Sequence, residues 1–435
     1  MSKFRKYYFL PVCSFIVLNI GINYISFGDK NGLWAASQNV GKTYYVSVNG
    51  SDRNDGSINH PWGTIQHAGR TAKAGDTVLV RGGIYREGEI WLQAIYGMGG
   101  RYGQMLTIKA YPGEKPIFVN AERPFIIECD YIRIEGLNFQ NGKSLSAGGI
   151  NRTDIQLVGN SFVGSGYGWD AIGTSGNNIL LEGNVCDIKG NLADTQGHCY
   201  YIMHGKNIII RNNIGRGPTG YGIHIFDQRR GGDPPDFERL IKDVIVEGNI
   251  ISNSEKRCGI IIAAYDHARV ENVIIRNNIL YNNAGPGIFI PGIAANVKVF
   301  NNTIFGNKEG AAFLAYGSPQ EVSNLIIKNN IFDIGSSPGQ RGPEYHVIIG
   351  NKNPGFILEN NLYWPGPIRL KNISDPSGQT GDPVFVNSME RDFHLRKGSA
   401  AIDKGVSLSE VPKDKDGINR PQGSAFDIGA YEFHN

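Results

Sequence analysis

The segment VIVEGNII, residues 244–251, is one copy of a motif that recurs along most of the chain. The other copies are IRIEGLNF from Ile132, IQLVGNSF from Ile155, ILLEGNVC from Ile179, IIIRNNIG from Ile208, VIIRNNIL from Val273, VKVFNNTI from Val297, LIIKNNIF from Leu325 and FILENNLY from Phe356. Successive copies start 23 to 36 residues apart. A repeat with a period of roughly 20–50 residues predicts a solenoid, a propeller or an array of small units.

Each copy alternates apolar and polar residues and then reaches a Gly-Asn or Asn-Asn pair. The sixth position is Asn in eight copies: Asn160, Asn184, Asn213, Asn249, Asn278, Asn302, Asn330 and Asn361. Asn tolerates the left-handed conformation of a sharp bend, and its amide hydrogen-bonds nearby backbone. We therefore expect these residues to occupy the bend itself, to bond to one another from turn to turn, and to be structural.

A further short strand is predicted between copies. These apolar segments are residues 171–173, 200–202, 222–225, 259–262, 287–290 and 346–349. Two or three strands per turn without helices between them indicate an all-β, single-stranded parallel β-helix. A propeller would need about four strands in some 40 residues, and a leucine-rich repeat a regular Leu pattern.

The remaining segments divide the chain. Residues 43–125 are expected to form a short N-terminal α/β cap and the first turns, because helical spacing over Thr64–Ala74 lies between two strands. Residues 126–370 form the predicted parallel β-helix. Residues 371–435 are polar and rich in turn residues, which predicts a C-terminal tail packed against the helix.

The N-terminal 37 residues have the pattern of a signal peptide. A basic start (Lys3, Arg5, Lys6) precedes the apolar run Tyr7–Phe27, and small residues at 35–37 offer a cleavage site. This predicts a secreted, periplasmic or cell-surface protein. The apolar run is about long enough to span a bilayer, so a membrane anchor is the alternative, and contact with a membrane is expected only if the segment is retained.

Charge and cysteine content narrow the function. The chain has a net charge of +3, and residues 1–37 alone carry +3, so the mature part is near neutral and no nucleic-acid partner is expected. Cys129, Cys186, Cys199 and Cys258 are widely spaced, which does not suggest a zinc site. Export would permit disulfides, but we expect buried free thiols.

Titratable residues concentrate near the middle of the chain. Stacking residues 200–202 on residues 223–225 puts Tyr201 beside His224, about 4.8 Å away, with both side chains outward. Asp170, His198 and Tyr221 stand two positions before the inward residues of three successive turns. The sequence therefore predicts one polar cluster spanning those turns.

The longest insertion, FDQRRGGDPPDFERLIKD at residues 226–243, follows this cluster. Functional residues often lie on loops held by a rigid scaffold. Between Lys206 and Lys242 the net charge is +3, which favours an anionic sugar. Lys206, Arg229 and Arg230 are candidate binding residues, since guanidinium groups bind carboxylates bidentately.

Three further stretches carry a family resemblance. These are YYVSVNGSD at 44–52 with AGDTVLVRGGIYRE at 74–87, the Asn-containing repeats, and GSAAID at 398–403 with DIGAYE at 427–432. Together they resemble exported bacterial right-handed parallel β-helix proteins of the pectate-lyase-like and chondroitinase-B/alginate-lyase-like superfamily. The resemblance implies a right-handed coil and a polysaccharide partner. It also implies calcium as a candidate cofactor, with no ligand set assigned. Where that family has a catalytic Lys and Arg, this sequence has His204 and a position near His224.

The hypothesis is a polysaccharide lyase acting on a uronic acid by β-elimination. This reaction needs a base for the C5 proton, an acid for the leaving oxygen and a cation at the carboxylate. We expect His198 or His224 as base, Tyr201 as acid, and Arg229 and Arg230 as carboxylate ligands. Asp170, Lys206 and Tyr221 complete the predicted substrate-binding set.

Three alternatives stay open at this stage. A glycoside hydrolase would use carboxylates such as Asp170, Asp187, Asp194 or Asp227. A uronan epimerase would use the same His and Tyr groups. A non-catalytic module would bind sugar on aromatic side chains such as Tyr201 and Tyr221.

Overall fold

The computed structural model describes residues 41–119, 125–141, 144–167, 170–190, 196–228, 238–309, 311–316, 322–335, 344–350 and 355–434. The predicted signal segment, residues 1–37, lies outside these ranges. Within the described ranges, no helix has both the length and the apolar content needed to cross a membrane.

Each turn of the chain contributes three strands, which stack in parallel on those of neighbouring turns. We call the three stacks the first, second and third columns. The first column contains Ile90–Gln93, Phe125–Glu128, the beginnings of Leu145–Val158 and Ile172–Glu182, Tyr200–Ile202, Ile223–Gln228, Ile260–Tyr265, Ile288–Ile290, Ala311–Ala315, Tyr345–Ile349 and Leu370–Lys371. The second column contains Thr43–Val46, Thr77–Val80, Leu106–Ala110, Ile132–Glu135, the ends of Leu145–Val158 and Ile172–Glu182, Gly205–Arg211, Leu240–Glu247, Arg269–Arg276, Ala294–Phe300, Val322–Lys328 and Phe356–Glu359. The third column contains Gly83–Tyr85, Pro116–Phe118, Asn138–Gln140, Ser161–Tyr167, Val185–Gly190, Ile214–Arg216, Ile250–Ser252, Ile279–Tyr281, Thr303–Phe305, Ile331–Asp333, Leu362–Trp364 and Gln379–Thr380.

Alternation along each strand separates the interior of the coil from its surface. Ile208 and Ile210 are fully buried, while Ile209 between them points outward and is partly exposed. In the third column the rings of Phe118, Phe139 and Phe162 stack at centroid distances of 5.5 and 4.7 Å. One continuous apolar core therefore runs through the stacked turns, and the predicted parallel β-helix is confirmed.

The Asn residues at the sixth position form a buried ladder at the corner between the second and third columns. The Oδ1 atom of Asn249 accepts from the backbone N–H of Asn213 at 2.9 Å and from its side-chain Nδ2 at 3.0 Å. Its own Nδ2 donates to the carbonyl of Ile210 and to Oδ1 of Asn278. The structural interpretation of these residues is confirmed.

The prediction that these Asn residues occupy the bend was wrong in one respect. The left-handed conformation lies at the fifth position, with φ of 64° at Gly248 and 55° at Asn277. The fifth residue therefore turns the chain, and the sixth turns its side chain inward to bond with the adjacent turns.

The tail contacts the fifth-position residues of the later turns. These contacts run from Nδ2 of Asn277, Asn301, Asn329 and Asn360 to the carbonyls of Lys413, Asp427, Val406 and Lys404, respectively. The fifth residue is Gly in four of the five earlier copies of the motif. All four of these corners that bond to the tail carry Asn at the fifth position.

The tail also covers the third column of those turns. It forms a short antiparallel pair, Phe385–Asn387 with Asp392–Leu395, and a 3₁₀ turn at Ser388–Glu390. Phe393 packs on Tyr281 and Phe305. Residues beyond 371 are thereby held against the coil by apolar contacts as well as hydrogen bonds.

At the opposite end, the predicted helix is present as Ile65–Thr71. The hydroxyl of Thr64 accepts from the backbone N–H of His67 and caps the helix. Ile65 and Ala68 are fully buried, and the side chain of Leu92 lies against Gly69. The helix therefore covers apolar residues of the first turns. A 3₁₀ turn follows at Ala94–Tyr96.

The prediction that all four cysteines are free thiols was wrong. Cys186 and Cys199 form a disulfide, whereas Cys129 and Cys258 are buried free thiols. Cys186 lies on the third column and Cys199 immediately precedes the next first-column strand. The bond joins a strand to the one that follows it, across a sequence separation of 13 residues.

Candidate active site

The central polar residues lie on the outer face of the first column. Tyr201 pairs with His224 in the parallel register, as predicted. The neighbouring Tyr200, Ile202, Ile223 and Ile225 point inward and are fully buried. Because inward neighbours anchor both strands, the phenol and the imidazole are held side by side, with stacked rings 4.5 Å apart and 12° between their planes.

His198 and Tyr221 complete a compact group with these two residues. The ring of His198 lies 4.4 Å from that of His224 and 5.2 Å from that of Tyr221. Tyr221 and His224 are 4.7 Å apart. Four rings from two adjacent turns therefore surround one point on the surface. They line a cleft of about 540 Å³.

One hydrogen bond fixes the tautomer of His198. The backbone N–H of Tyr221 donates to Nδ1 of His198 at 2.9 Å. A ring nitrogen that accepts a hydrogen bond is unprotonated, so the neutral imidazole carries its proton on Nε2. His198 is thereby arranged as a hydrogen-bond donor, and its Nδ1 is occupied.

The environment of His224 favours the neutral ring. Burial, followed by the neighbouring His198 and the positive charge of Arg257, holds its pKa well below the usual value of 6.5. Its Nδ1 is buried and has no hydrogen-bond partner among the described residues. At neutral pH the ring is uncharged and can accept a proton.

Burial also raises the pKa of Tyr221 to about 12, an effect increased by Cys258 and Tyr265 and opposed by Arg257. Tyr221 therefore stays protonated across the physiological pH range.

Arg257 is a cleft residue that the sequence interpretation missed. Its guanidinium carbon lies 5.9 Å from the ring centre of Tyr221, and the residue is exposed. A signal was present. Extending the column of Asp170, His198 and Tyr221 by one turn reaches Cys258, and Arg257 precedes it.

The structure places the other predicted residues differently. Asp170 does stack with His198, since the backbone N–H of Ala171 donates to the carbonyl of His198. Burial raises the pKa of the Asp170 carboxyl well above its usual value. Lys206 lies on the second column beside Lys242 and is not part of the four-ring group. Arg229 and Arg230 lie outside the described residues.

Asp227, His204 and Arg239 form a second polar group, and the sequence interpretation missed their contacts with one another. The carboxylate of Asp227 is buried, with Nδ1 of His204 at 3.2 Å and a guanidinium nitrogen of Arg239 at 3.5 Å. Asp227 and Arg239 stand at the two ends of the long insertion. The group therefore ties both ends of this loop to the coil next to Phe226, which lines the cleft.

The first-column cleft differs from the other grooves in its side chains. A larger groove, about 640 Å³, lies on the second column, but its lining is mainly Ile and Asn and lacks His and Tyr. No group of three or more His, Cys, Asp or Glu side chains suited to a metal ion occurs in the described ranges. A requirement for calcium therefore stays a prediction, and the first-column cleft is the candidate site.

Comparison with known families agrees with this architecture. Residues 44–182 match the family described as Pel9A-like, right handed beta helix region. Residues 239–332 match a second family described as right handed beta helix region. Together the two matches cover more than half of the chain. Both descriptions name a right-handed β-helix, and this chain is a right-handed β-helix protein.

Relatives of this β-helix differ in what their names state. This chain is 24% identical to the uncharacterized protein YwoF of Bacillus subtilis, over 91% of this chain and 99% of that protein. It is 21% identical to the plasmin and fibronectin-binding protein A of Streptococcus pneumoniae, over 58% of this chain but 35% of that protein. The crystal structure of pectate lyase Pel9A superposes with a TM-score of 0.54 and 17% identity, covering 90% of this chain and 96% of that one. This likeness establishes the fold.

Proposed function

We propose that this β-helix is a polysaccharide lyase that cleaves a uronic-acid-containing chain by β-elimination in the first-column cleft. The observation that carries the proposal is the neutral imidazole of His224 stacked 4.5 Å from the phenol of Tyr201. A proton acceptor and a proton donor thus lie side by side. Arg257 adds a cation at the edge of the same cleft.

Each group has a separate role in the proposed reaction. Arg257 binds the uronate carboxylate, which makes the proton at C5 more acidic. His224 takes that proton. The C4–O bond then breaks as a C4–C5 double bond forms, and the hydroxyl of Tyr201 protonates the leaving oxygen. Transfer of a proton from the His224 imidazolium to the Tyr201 phenolate, through solvent, then restores both groups.

The tautomer of His198 assigns it a different role from His224. Its Nδ1 already accepts from the backbone of Tyr221, so this atom is not available as a base. We place His198 as a positioning residue whose Nε2–H supports a substrate oxygen or the ring of His224. Proton removal places further negative charge on the C6 carboxylate, which is then the natural acceptor for such a donor.

The described carboxylates favour elimination over glycoside hydrolysis. Hydrolases need two carboxyl groups facing each other across the scissile bond. Asp227 is buried and bound to His204 and Arg239, and Asp187 lies on the third column facing Arg216. Neither belongs to the four-ring group. A hydrolytic mechanism therefore has less support from these side chains.

The first experiment measures the unsaturated product directly. The mature protein is incubated with a panel of uronic-acid polymers, and the ultraviolet absorbance of the new C4–C5 double bond is followed. His224→Ala should abolish turnover, and Arg257→Ala should raise KM. His267→Asn, at an exposed histidine on a neighbouring turn, is the matched control and should be inert.

The same panel separates the alternatives. New reducing ends without ultraviolet absorbance would indicate hydrolysis, and altered uronate stereochemistry without cleavage would indicate epimerisation. Retention of a polymer without any turnover would indicate a binding module. Any of these outcomes, or full turnover by His224→Ala, contradicts the lyase proposal.

Export is the second part of the proposal. Residues 1–37 combine a basic start, an apolar run and small residues at 35–37. The disulfide between Cys186 and Cys199 supports an oxidising compartment. N-terminal sequencing of the protein recovered outside the cytoplasm should show a start close to residue 38. An intact Met1 on the membrane-bound protein would indicate an anchor instead.

A further inference from the structure

The outward residues of the first column form one continuous row along the coil, which we call the outward row. Each member lies between two inward residues of its own strand and pairs with the outward residue of the next turn. From the N-terminal side the row contains Trp91, Ile126, Ser146, Gly173, Tyr201, His224, Ile261 and Phe289. Neighbours in the row are about 4.8 Å apart along the coil axis. Tyr201 and His224 are therefore two adjacent places in a row that continues in both directions.

The proposed acid and base differ in their place along this row. Tyr201 belongs to the earlier turn, so its phenol lies nearer the N-terminal end of the coil than the imidazole of His224. Arg257 stands to one side, because it precedes the strand Ile260–Tyr265 and its guanidinium lies beside the ring of Tyr221. The two reactive groups thus follow the coil axis, and the cation lies at the edge of the column.

β-Elimination imposes an order on the atoms of the bound uronate. The leaving oxygen is on C4, the acidic proton is on C5, and the carboxylate is attached to C5. Within the sugar ring C5 lies on the C1 side of C4. The step from the leaving oxygen to the acidic proton therefore also points from the non-reducing side of the sugar toward its reducing side. A sugar held by three contacts that do not lie on one line has a single orientation.

We infer that the polysaccharide binds with its non-reducing end toward the N-terminal turns and its reducing end toward the C-terminal turns. The sugar joined through O4 then lies on the Gly173 and Ser146 side of Tyr201. The reducing part of the chain lies on the Ile261 and Phe289 side of His224. This inference rests on the lyase proposal for the roles of the acid and the base, whereas the order of the residues in the outward row does not.

The side that would hold the leaving sugar carries polar groups. A Cβ added at Gly173 would lie 3.4 Å from Oδ2 of Asp170, so this carboxyl lies where a side chain of residue 173 would begin. Ser146, one turn earlier, is exposed. Carboxyl and hydroxyl oxygens accept hydrogen bonds from sugar hydroxyls. The saturated product, which ends in the new reducing sugar, is thereby assigned to Asp170 and Ser146.

The side that would hold the reducing part of the chain carries apolar groups. Ile261 and Phe289 both line the cleft, and Phe289 is partly exposed. The C–H faces of sugar rings lose contact with water against such side chains. The product with the new C4–C5 double bond is thereby assigned to Ile261 and Phe289.

Spin labels at two matched positions test the direction of binding. Ser146 lies two turns before Tyr201, and Phe289 lies two turns after His224, so the reactive pair is midway between them. Each residue is changed to Cys and spin-labelled in a His224→Ala background, which prevents cleavage. Hexagalacturonate and hexamannuronate are added in turn, and NMR measures how strongly each label broadens the proton signals of the two terminal sugars.

The expected broadening differs between the two labels. The label on Phe289→Cys should remove the anomeric signal of the reducing end and leave the non-reducing end sharper. The label on Ser146→Cys should give the opposite pattern. Cys129 and Cys258 are buried, and His224→Ala without an added cysteine controls for labelling of these thiols. A reversed pattern, equal broadening of both ends by each label, or no broadening of either hexamer would overturn the inference.

The result also separates this inference from the lyase proposal. If no uronan of the panel is cleaved, the lyase proposal fails, yet the expected broadening pattern would still support the direction of binding. If cleavage occurs and the pattern is reversed, the protein is a lyase and the inferred direction is wrong. In that case the base lies on the N-terminal side of the acid, and the roles of Tyr201 and His224 are exchanged.

Discussion

Replacing Asn249 by Ala should destabilise the coil more than any single loss of a surface hydrogen bond. The side chain is fully buried and takes part in four hydrogen bonds, to the backbone and side chain of Asn213, to the carbonyl of Ile210 and to Asn278. At about 1 kcal/mol for each bond, the free energy of unfolding should fall by about 4 kcal/mol. The groups left behind remain buried, so water cannot replace the lost partner.

A matched variant removes hydrogen bonds of the same type at the surface. Asn272 bonds to Asp243 and Asn296 in an outer ladder, and its φ of 56° is left-handed. Asn272→Gly removes those two bonds without backbone strain, so the expected loss is below about 1 kcal/mol. Urea unfolding followed by fluorescence compares the two variants. A midpoint for Asn249→Ala no lower than that of Asn272→Gly would refute the assignment of the corner ladder as a main source of stability.

Three further outcomes are expected. Because the pKa of His224 lies well below 6.5, its ring stays neutral in mildly acidic solution. Turnover should therefore persist below pH 6.5 and fall only as the pH drops through the lowered pKa. A loss of kcat/KM centred at pH 6.5 or above would contradict the role of His224 as base. Replacing both Cys186 and Cys199 by Ser should lower the free energy of unfolding by about 3 kcal/mol, measured as a lower Tm. If a reducing agent leaves the Tm of the wild-type protein unchanged, that result would argue against the disulfide. Arg420→Met leaves the buried Glu432 without its ion-pair partner, which should lower the free energy of unfolding by about 3–5 kcal/mol and expose the tail to proteases. Adding Glu432→Gln should restore part of the protection. Tail cleavage of Arg420→Met at the wild-type rate would count against a stabilising role for this ion pair.

Local patterns made the scaffold predictable from the sequence. The alternation of apolar residues and the repeated Asn define both the strand faces and the corner, and aligning them was enough to place Tyr201 beside His224. The assignment of the bend failed because two adjacent residues have different roles at the corner: the fifth has the left-handed conformation and the sixth makes the buried hydrogen bonds. A repeat reveals that both positions matter, but the backbone angle at Gly248 and the inward rotation of Asn249 are distinguished only in three dimensions.

The parts of the site that were missed depend on contacts between unlike segments. Cys186 and Cys199 meet because a third-column strand is close to the next first-column strand, and the length of the intervening loop does not reveal this. Arg257 is adjacent to the column that held the other candidates, yet it lies outside the strand pattern. Asp227 continues the inward alternation of Ile223 and Ile225, but its pairing with His204 crosses from one turn to the next and is seen only in the fold.

The tail bonded to four consecutive corners has a mechanical consequence. A coil without such a brace can peel from an end one turn at a time, because each turn touches only its neighbours. Here the tail links four turns, through its hydrogen bonds to Asn277, Asn301, Asn329 and Asn360. Those turns should therefore unfold together. Under a pulling force the two ends should respond differently. The chain should unfold in small successive steps from the N-terminal end and in one large step from the C-terminal end.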